Sequence, residues 1–386
     1  MNKILRITTV AGSLNRLLRG QLRFMNQYYE VVGVTSKGIS FDRVIENEGI
    51  RVEPVEMTRT IAPIKDLVAT YKLYKLIKKE NPLIVHTHTP KAGILGMLAA
   101  KLAGVKHRYH TVAGMPLLEA TGFKLKLLVA VEKLTYKFAT KVFPNSYGLK
   151  TIIIDQGFCN KDKVKVIGNG SSNGIDIEHF NRKQVSNEQL DALKSELNIS
   201  DNDFVYVYVG RLVKDKGINE LITVFDDISK QLPNCKLVLV GFRERKLDPL
   251  KPETEKTIKD NPSIIEAGFQ KDVRPYFALG KVLVFPSYRE GFPNVVLQAG
   301  AMGIPSIVSD INGCNEIIID GENGFIIPAK DTQELKKKML HVLEDENHLK
   351  QLTLNSRENI VNRFQHKYIW EELLKIYTNA ENKEHV

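Results

Sequence analysis

Short runs of apolar, largely β-branched residues alternate with stretches of helical spacing along the whole chain. In the first half the runs are Lys3–Val10, Glu30–Thr35, Ile84–His88, His107–Thr111, Val142–Pro144 and Val164–Ile167, with helical patterns between them such as Leu67–Glu80 and Gly93–Leu102. Runs that stay apolar instead of alternating with polar residues suit strands buried on both faces of a parallel sheet. The cluster Asn169-Gly-Ser-Ser-Asn-Gly174 has linker character, and a polar helix-rich stretch follows it. The pattern then restarts with Phe204–Val209, Leu237–Val240, Ile264–Ala267, Val282–Phe285, Ser306–Val308 and Phe325–Ile327. This repetition predicts an α/β protein of two Rossmann-like, doubly wound domains, residues 1–180 and 185–365, whose facing carboxyl ends would form a cleft. Helical patterns at Thr332–Leu343 and His348–Arg363 precede a last one at Tyr368–Tyr377, which holds the only tryptophan, Trp370.

Composition narrows the class. With 386 residues the chain exceeds what one core usually supports, and 26% charged and 43% hydrophobic residues exclude a disordered chain. Cys159, Cys235 and Cys314 are too few and too scattered for a disulfide framework or a cysteine zinc site, which points to a reducing, cytoplasmic setting. Met1–Val10 is too short and too interrupted for a signal peptide, and no later segment reaches the roughly 18 uncharged apolar residues of a membrane span.

The net charge of +10 is uneven. Residues 1–183 carry 29 Lys and Arg against 14 Asp and Glu, a net of +15, which leaves −5 for residues 184–386. A basic half suits a polyanion or an anionic membrane surface. No helix-turn-helix, zinc-finger or aromatic RNA-binding pattern accompanies it, so nucleic acid is not expected. Between Leu117 and Lys141, Leu118, Phe123, Leu125, Leu127, Leu128, Val129 and Leu134 mix with Lys124, Lys126, Lys133, Lys137 and Lys141. That mixture reads either as a basic amphipathic helix lying in a membrane interface or as a core-facing helix with lysines in water.

Candidate chemistry gathers at strand ends. After Phe204–Val209, Gly210 permits a sharp exit, and Arg211 and Lys216 in Val209-Gly-Arg-Leu-Val-Lys-Asp-Lys-Gly217 would hang off a βα loop, cations suited to a pyrophosphate. Pro286 ends the Val282–Phe285 strand, Gly291 and Pro293 shape a turn carrying Glu290, and a helix follows whose amides around Asn294 and Val295 would face an anion. Gly12-Ser13 follows the first strand, where glycine lets backbone approach a diphosphate. His86, His88 and Lys91 sit at a strand's carboxyl end before a helix, a rim position suited to an acceptor phosphate. No carboxylate cluster accompanies the two histidines, so they do not read as a metal site.

The Phe285–Gly324 segment is similar to the donor site of family 4 glycosyltransferases with the GT-B fold, whose signature places two glutamates eight positions apart. This chain keeps Glu290 and has Gln298 at the second place. The resemblance implies that Glu290 accepts hydrogen bonds from donor-sugar hydroxyls within the loop Gly291-Phe292-Pro293. It implies further that Gln298 accepts from the ribose, that Gly210, Arg211 and Lys216 hold the pyrophosphate, and that the base rests near Gly268-Phe269. It also implies a last helix, about 367–380, that crosses back to the first domain, a hinge near 174–184, and no metal or cofactor beyond the nucleotide-sugar co-substrate. The family's His-Gly is not matched cleanly: His110-Thr-Val-Ala-Gly114 puts Ala113 where histidine is expected, so His110 from another register, Glu119 or a backbone carbonyl would fill the role. Glu119 also joins His86, His88 and Lys91 as an acceptor-side candidate.

The motifs His86-Thr-His-Thr-Pro-Lys-Ala-Gly93, Asn169-Gly-Ser-Ser-Asn-Gly-Ile-Asp176 and Arg289-Glu-Gly-Phe-Pro-Asn-Val-Val296 resemble bacterial enzymes that build surface polysaccharide on a polyprenyl diphosphate carrier. The expected partners are therefore a nucleotide sugar, a UDP-hexose or UDP-N-acetylhexosamine, a lipid-linked glycan acceptor, and the inner face of the plasma membrane. Transfer with retention is implied. A sugar-nucleotide epimerase and a catalytically idle partner subunit are the competing readings.

Overall fold

The computed structural model describes residues 1–383 apart from 116, 118, 119 and 245–247. It divides into two compact units, Met1–Gly174 with the segment from His366 onward, and Ile175–Gln365.

The first unit is built on six parallel strands, β1 (Lys3–Val10), β2 (Glu30–Ser36), β3 (Arg51–Pro54), β4 (Ile84–Thr87), β5 (His107–Val112) and β6 (Lys141–Pro144), in the order β3-β2-β1-β4-β5-β6. Parallel neighbours need crossover helices, and the sequence supplies them with starts and close-packing faces. The helix Pro90–Leu102 between β4 and β5 has Pro90 at its first position and a face of Ala92, Gly93, Gly96 and Ala99 that lets it lie close on the sheet. A β-carbon on Gly96 would stand 2.7 Å from the Thr87 methyl.

The second unit repeats the scheme with β7 (Phe204–Val209), β8 (Cys235–Val240), β9 (Ile264–Gly268), β10 (Val282–Phe285), β11 (Ser306–Ser309) and β12 (Gly324–Ile327), in the order β12-β11-β10-β7-β8-β9. In each unit the strand order reverses once, between β1 and β4 and between β7 and β10. Such a switch point opens a crevice beyond the strand carboxyl ends, where ligands of doubly wound sheets bind.

Two elements differ from the sequence reading. Strand β3 was not anticipated, because Arg-Val-Glu-Pro offers one apolar residue; it is an edge strand held by Arg51, which pairs with Glu80 (2.6 Å) and Glu53 (2.6 Å). The run Val164–Ile167 is not a strand. Only Val164 bridges to Val142, and the chain then turns through Gly168 at φ +54°.

The last helix, His366–Asn382, buries Ile369, Leu373, Tyr377 and Ala380 among Ile4, Leu22, Tyr29 and Ile84 of the first unit. Its far end is fixed by Glu381, which accepts from Asn2 (2.6 Å) and Tyr29 (3.1 Å). Among the described residues no helix is long and apolar enough to cross a membrane.

Candidate functional site

The switch point of the second unit gathers the residues singled out there. Strands β7 and β10 pair through Tyr206–Val282 and Val207–Leu283, so the loops that leave them start side by side. After β7 the chain turns at Gly210, where a β-carbon would stand 2.7 Å from the Tyr208 hydroxyl. That hydroxyl donates to the Arg211 carbonyl (2.8 Å) and holds the loop, while the Arg211 side chain is exposed. A single helical turn, Lys214–Lys216, ends at Gly217 in the left-handed region with φ +71°. A β-carbon on Gly217 would lie 2.1 Å from the Pro286 carbonyl oxygen, so glycine alone lets the two loops meet.

Their meeting creates an ion pair. Lys216 Nζ lies 2.5 Å from Glu290 Oε1, with both side chains mostly buried at 14% and 20% exposure. Ser287 Oγ lies 3.3 Å from the same oxygen and 3.1 Å from the Arg289 carbonyl, so both side-chain contacts fall on one oxygen of the carboxylate. Beside it, Tyr288 N–H donates to the Asp215 carbonyl (2.9 Å) and Arg289 pairs with the Asp215 carboxylate (2.6 Å). Burial raises the Asp215 pKa, and the adjacent Asp248, which accepts from the Asp215 amide (2.8 Å), adds to that. Cys314 lies below the loop, its thiol held neutral by burial and then by the Glu290 charge.

The helix Asn294–Ala301 starts at Pro293 with no side chain capping its first turn. Asn294 and Val295 stand in that first turn, where backbone amides have no intrahelical acceptor and the helix end is positive; Asn294 is exposed and Val295 half-buried. Gln298 is half-buried one turn later. Gly313 closes over the Gly291–Pro293 turn, since a β-carbon there would meet the Gly291 carbonyl at 2.8 Å. The adjoining strand ends carry Phe269 after β9 and Phe242 after β8, 68% and 47% exposed, which flank an open groove of about 940 Å³. Phe242 escaped the sequence reading, although an exposed aromatic straight after a strand-end glycine was a usable signal.

In the first unit Gly12 and Ser13 fall in the first turn of the helix Ala11–Leu17, directly after β1 at that unit's switch point. The rim position expected for His86 and His88 is corrected. Both are buried, His86 within β4 and His88 just past its end, because helices cover both faces of a parallel sheet. His86 Nδ1 meets the Tyr377 hydroxyl (2.6 Å) and Nε2 the Thr111 hydroxyl (2.8 Å), which leaves no ring nitrogen for an acceptor phosphate. His88 Nε2 accepts from Arg6 Nε (3.0 Å). Burial, reinforced by neighbouring cationic groups, keeps both imidazoles neutral. Arg6 itself is wholly buried, reaches Gln21 Oε1 at 2.5 Å, and was missed although it interrupts an apolar run.

His110 is also buried, with Nδ1 2.7 Å from the Thr87 hydroxyl and its ring against Gly93, where a β-carbon would stand 2.6 Å from Cε1. Burial lowers its pKa to about 4. It therefore lies under the helix that starts at Pro90, not at a surface from which it could touch a sugar. The Ala113 carbonyl accepts from Asn145 Nδ2 at 3.2 Å. Lys91 pairs with Asp66 at 2.6 Å. Glu119 lies outside the described residues.

Comparison with known proteins agrees with this arrangement. Residues 190–359 match the family model "Glycosyl transferases group 1", and residues 17–146 match "Glycosyl transferase 4-like". A capsular polysaccharide biosynthesis glycosyltransferase of Staphylococcus aureus, CapM, is 35% identical over 97% of this chain and 96% of its own length. An Escherichia coli α-1,3-galactosyltransferase that uses UDP-Gal and α-D-GlcNAc-diphosphoundecaprenol is 33% identical over 80% of this chain and 78% of its own. Among solved structures, Anabaena HepE in complex with UDP superimposes with a TM-score of 0.82 at 20% identity, covering 98% of this chain and all of that one, a likeness of fold. With two six-stranded parallel sheets, both family models and a relative matched over nearly its full length, the chain belongs to the group 1 glycosyltransferases, of family 4 type and with the GT-B fold.

Proposed function

We propose that this glycosyltransferase moves a hexose or N-acetylhexosamine from its UDP conjugate, with retention, onto a polyprenyl-diphosphate-linked glycan in surface polysaccharide synthesis. The observation that carries the donor half is the Lys216–Glu290 ion pair at the β7/β10 switch point. A nucleotide diphosphate entering there offers Lys216 a stronger anion than the carboxylate, and releases Glu290 to accept from sugar hydroxyls. Arg211, Lys216 and the amides of Asn294 and Val295 take up the charge that develops on the departing diphosphate. Gln298 accepts from the ribose through its carbonyl oxygen, a bond about half as strong as a carboxylate would make. Phe269 and Phe242 flank the base.

Retention needs no protein nucleophile. The acceptor hydroxyl approaches C1 on the face that the diphosphate leaves, its oxygen bonds to C1 as the C1–O bond to UDP breaks, and its proton passes to the departing phosphate oxygen. The E. coli relative, whose acceptor is a diphosphoundecaprenol-linked sugar, and HepE, solved with UDP-glucose, support the two halves of the reading. A thermal-shift panel of UDP, GDP and their common sugar conjugates tests it. One UDP-sugar should raise Tm by several degrees in the parent and clearly less in Glu290→Gln. Equal shifts in the two proteins would remove Glu290 from the site, and no shift with any conjugate would favour the idle-subunit reading.

The lipid-linked acceptor brings the enzyme to the cytoplasmic face of the plasma membrane, and of the two readings of the Leu117–Lys141 segment the core-facing one fits its helix better. In the helix Gly122–Phe138, Leu125, Leu128 and Val129 pack against the core, with Phe123 and Leu134 the exposed apolar residues there. The helix Pro63–Glu80 instead exposes Ile64, Leu67, Val68 and Tyr71, one continuous stripe at helical spacing, with Ile64 82% and Leu67 73% exposed. Lys65, Lys72 and Lys75 flank it, also exposed. An apolar stripe edged by lysines on the basic half suits an anionic bilayer. Leu67→Glu with Tyr71→Glu should weaken co-sedimentation with phosphatidylglycerol vesicles by about a hundredfold or more, from roughly 1.5–3 kcal/mol lost for each of the two buried side chains. Unchanged partitioning would take this helix out of the interface.

A further inference from the structure

We propose a structural transition-metal site formed by His341, Asp345 and His348 at the junction of two helices in the second unit. His341 lies in the last turn of the helix Thr332–Glu344, His348 in the first turn of Glu346–Phe364, and Asp345 between them. One ligand atom of each lies within 4.8 Å of the others. The spacing 341, 345, 348 places all three on one face of the joint.

The hydrogen bonds settle which lone pairs point inward. His348 Nε2 is 3.2 Å from the Gly321 carbonyl oxygen, which can only accept, so the ring proton sits on Nε2 and Nδ1 carries a lone pair. That Nδ1 faces His341 Nε2 at 2.8 Å, a distance bridged by one proton from His341. A divalent cation can replace the bridging proton if His341 carries its remaining proton on Nδ1. The nitrogens then part to about 3.3 Å for tetrahedral bonds of about 2.0 Å, and the two rings, which meet head-on with centroids 5.1 Å apart, tilt toward a common point. The His348–Gly321 bond becomes the backbone partner that orients a metal-bound imidazole. Asp345 Oδ1 accepts from the His348 amide (2.9 Å), which fixes the carboxylate beside the rings while its other oxygen can ligate.

Phe325 stands edge-on to both imidazoles, with centroids 5.4 and 5.5 Å away, and Lys338 Nζ sits over the same phenyl ring at 4.3 Å. Two imidazoles and a carboxylate favour Zn²⁺, Co²⁺ or Ni²⁺ over Mg²⁺ or Ca²⁺, with water as a fourth ligand. Such a metal would staple the two helices to the turn at Gly321. It has no part in sugar transfer, and the expectation of metal-free catalysis is untouched.

The test uses the full chain, tag removed and stripped with EDTA. Zinc chloride should bind with one equivalent in calorimetry and raise Tm by about 3–5 °C, whereas magnesium chloride should do neither. Cobalt should develop the visible absorption of a tetrahedral site. His348→Asn should abolish both zinc effects. Asp345→Asn keeps a good helix cap and removes the charged ligand, so it should keep the metal-free Tm and lose at least tenfold in zinc affinity. No zinc-dependent shift in the parent, or an undiminished shift in both variants, would overturn the proposal.

Discussion

Lys216→Met should lower kcat/KM for sugar transfer by about 10²–10³-fold, the loss typical of removing one preorganised group that stabilises charge developing in a transition state. The lysine stands 2.5 Å from Glu290 across a switch point, so the substitution also leaves that carboxylate half-buried without its cation. Two consequences separate a diphosphate-binding role from a merely structural one. Most of the loss should fall on kcat, because the charge on the diphosphate grows as the sugar departs. Lys216→Arg, which keeps the charge in a different shape, should recover part of the rate. Steady-state kinetics with the donor identified by thermal shift reads both. A loss below about tenfold, or one confined to KM, would move Lys216 out of the leaving-group role.

Gly217→Ala should destabilise the second unit by about 3 kcal/mol or more and abolish donor binding. Part of this is the cost of a β-carbon in the left-handed region, about 1–2 kcal/mol. The rest is collision with backbone, since the new carbon would stand 2.1 Å from the Pro286 carbonyl oxygen and neither loop can yield without separating Lys216 from Glu290. Gly303→Ala isolates the first term: Gly303 has φ +78° in the same unit and meets nothing within 4 Å. Its cost should stay near 1–2 kcal/mol with donor binding intact. Urea unfolding of the pair measures the difference. Equal destabilisation would mean that the loops accommodate the methyl group.

Much of the architecture was legible because the strands of a parallel sheet are buried on both faces and announce themselves as unbroken apolar runs. β10 is of this kind and β7 nearly so, while β1 is apolar only at Ile4, Leu5, Ile7 and Val10. β3 was not, since an edge strand held by Arg51 and its carboxylates has little apolar character to show. Val164–Ile167 looked the part but lay where pairing ends after one residue. The site divides similarly. The Arg211–Lys216 loop and the Glu290 loop could each be read locally, yet their contact depends on β7 and β10 being neighbours, a fact of strand order. The histidines misled for the same reason. His86 is paired in register with Arg6 across the β1/β4 boundary, and a distant helix brings Tyr377 to its ring, so a motif that reads as surface chemistry is a buried polar core. Chemistry that depends on local turns showed in the sequence, and chemistry that depends on register did not.

The return of the last helix to the first unit has a bearing on how the chain folds during synthesis. The second unit is one continuous segment, Ile175–Gln365, and can complete its core as soon as that segment has emerged. The first unit, although made first, must wait with Ile4, Leu22, Tyr29 and the His86 ring uncovered until Ile369, Leu373 and Tyr377 arrive. The nascent chain thus carries an open apolar seam from the synthesis of Ile4 and Leu22 until the helix His366–Asn382 has emerged to close it. The earlier-made unit is in this sense finished after the later-made one, and the helix that seals it sets the moment at which its core closes.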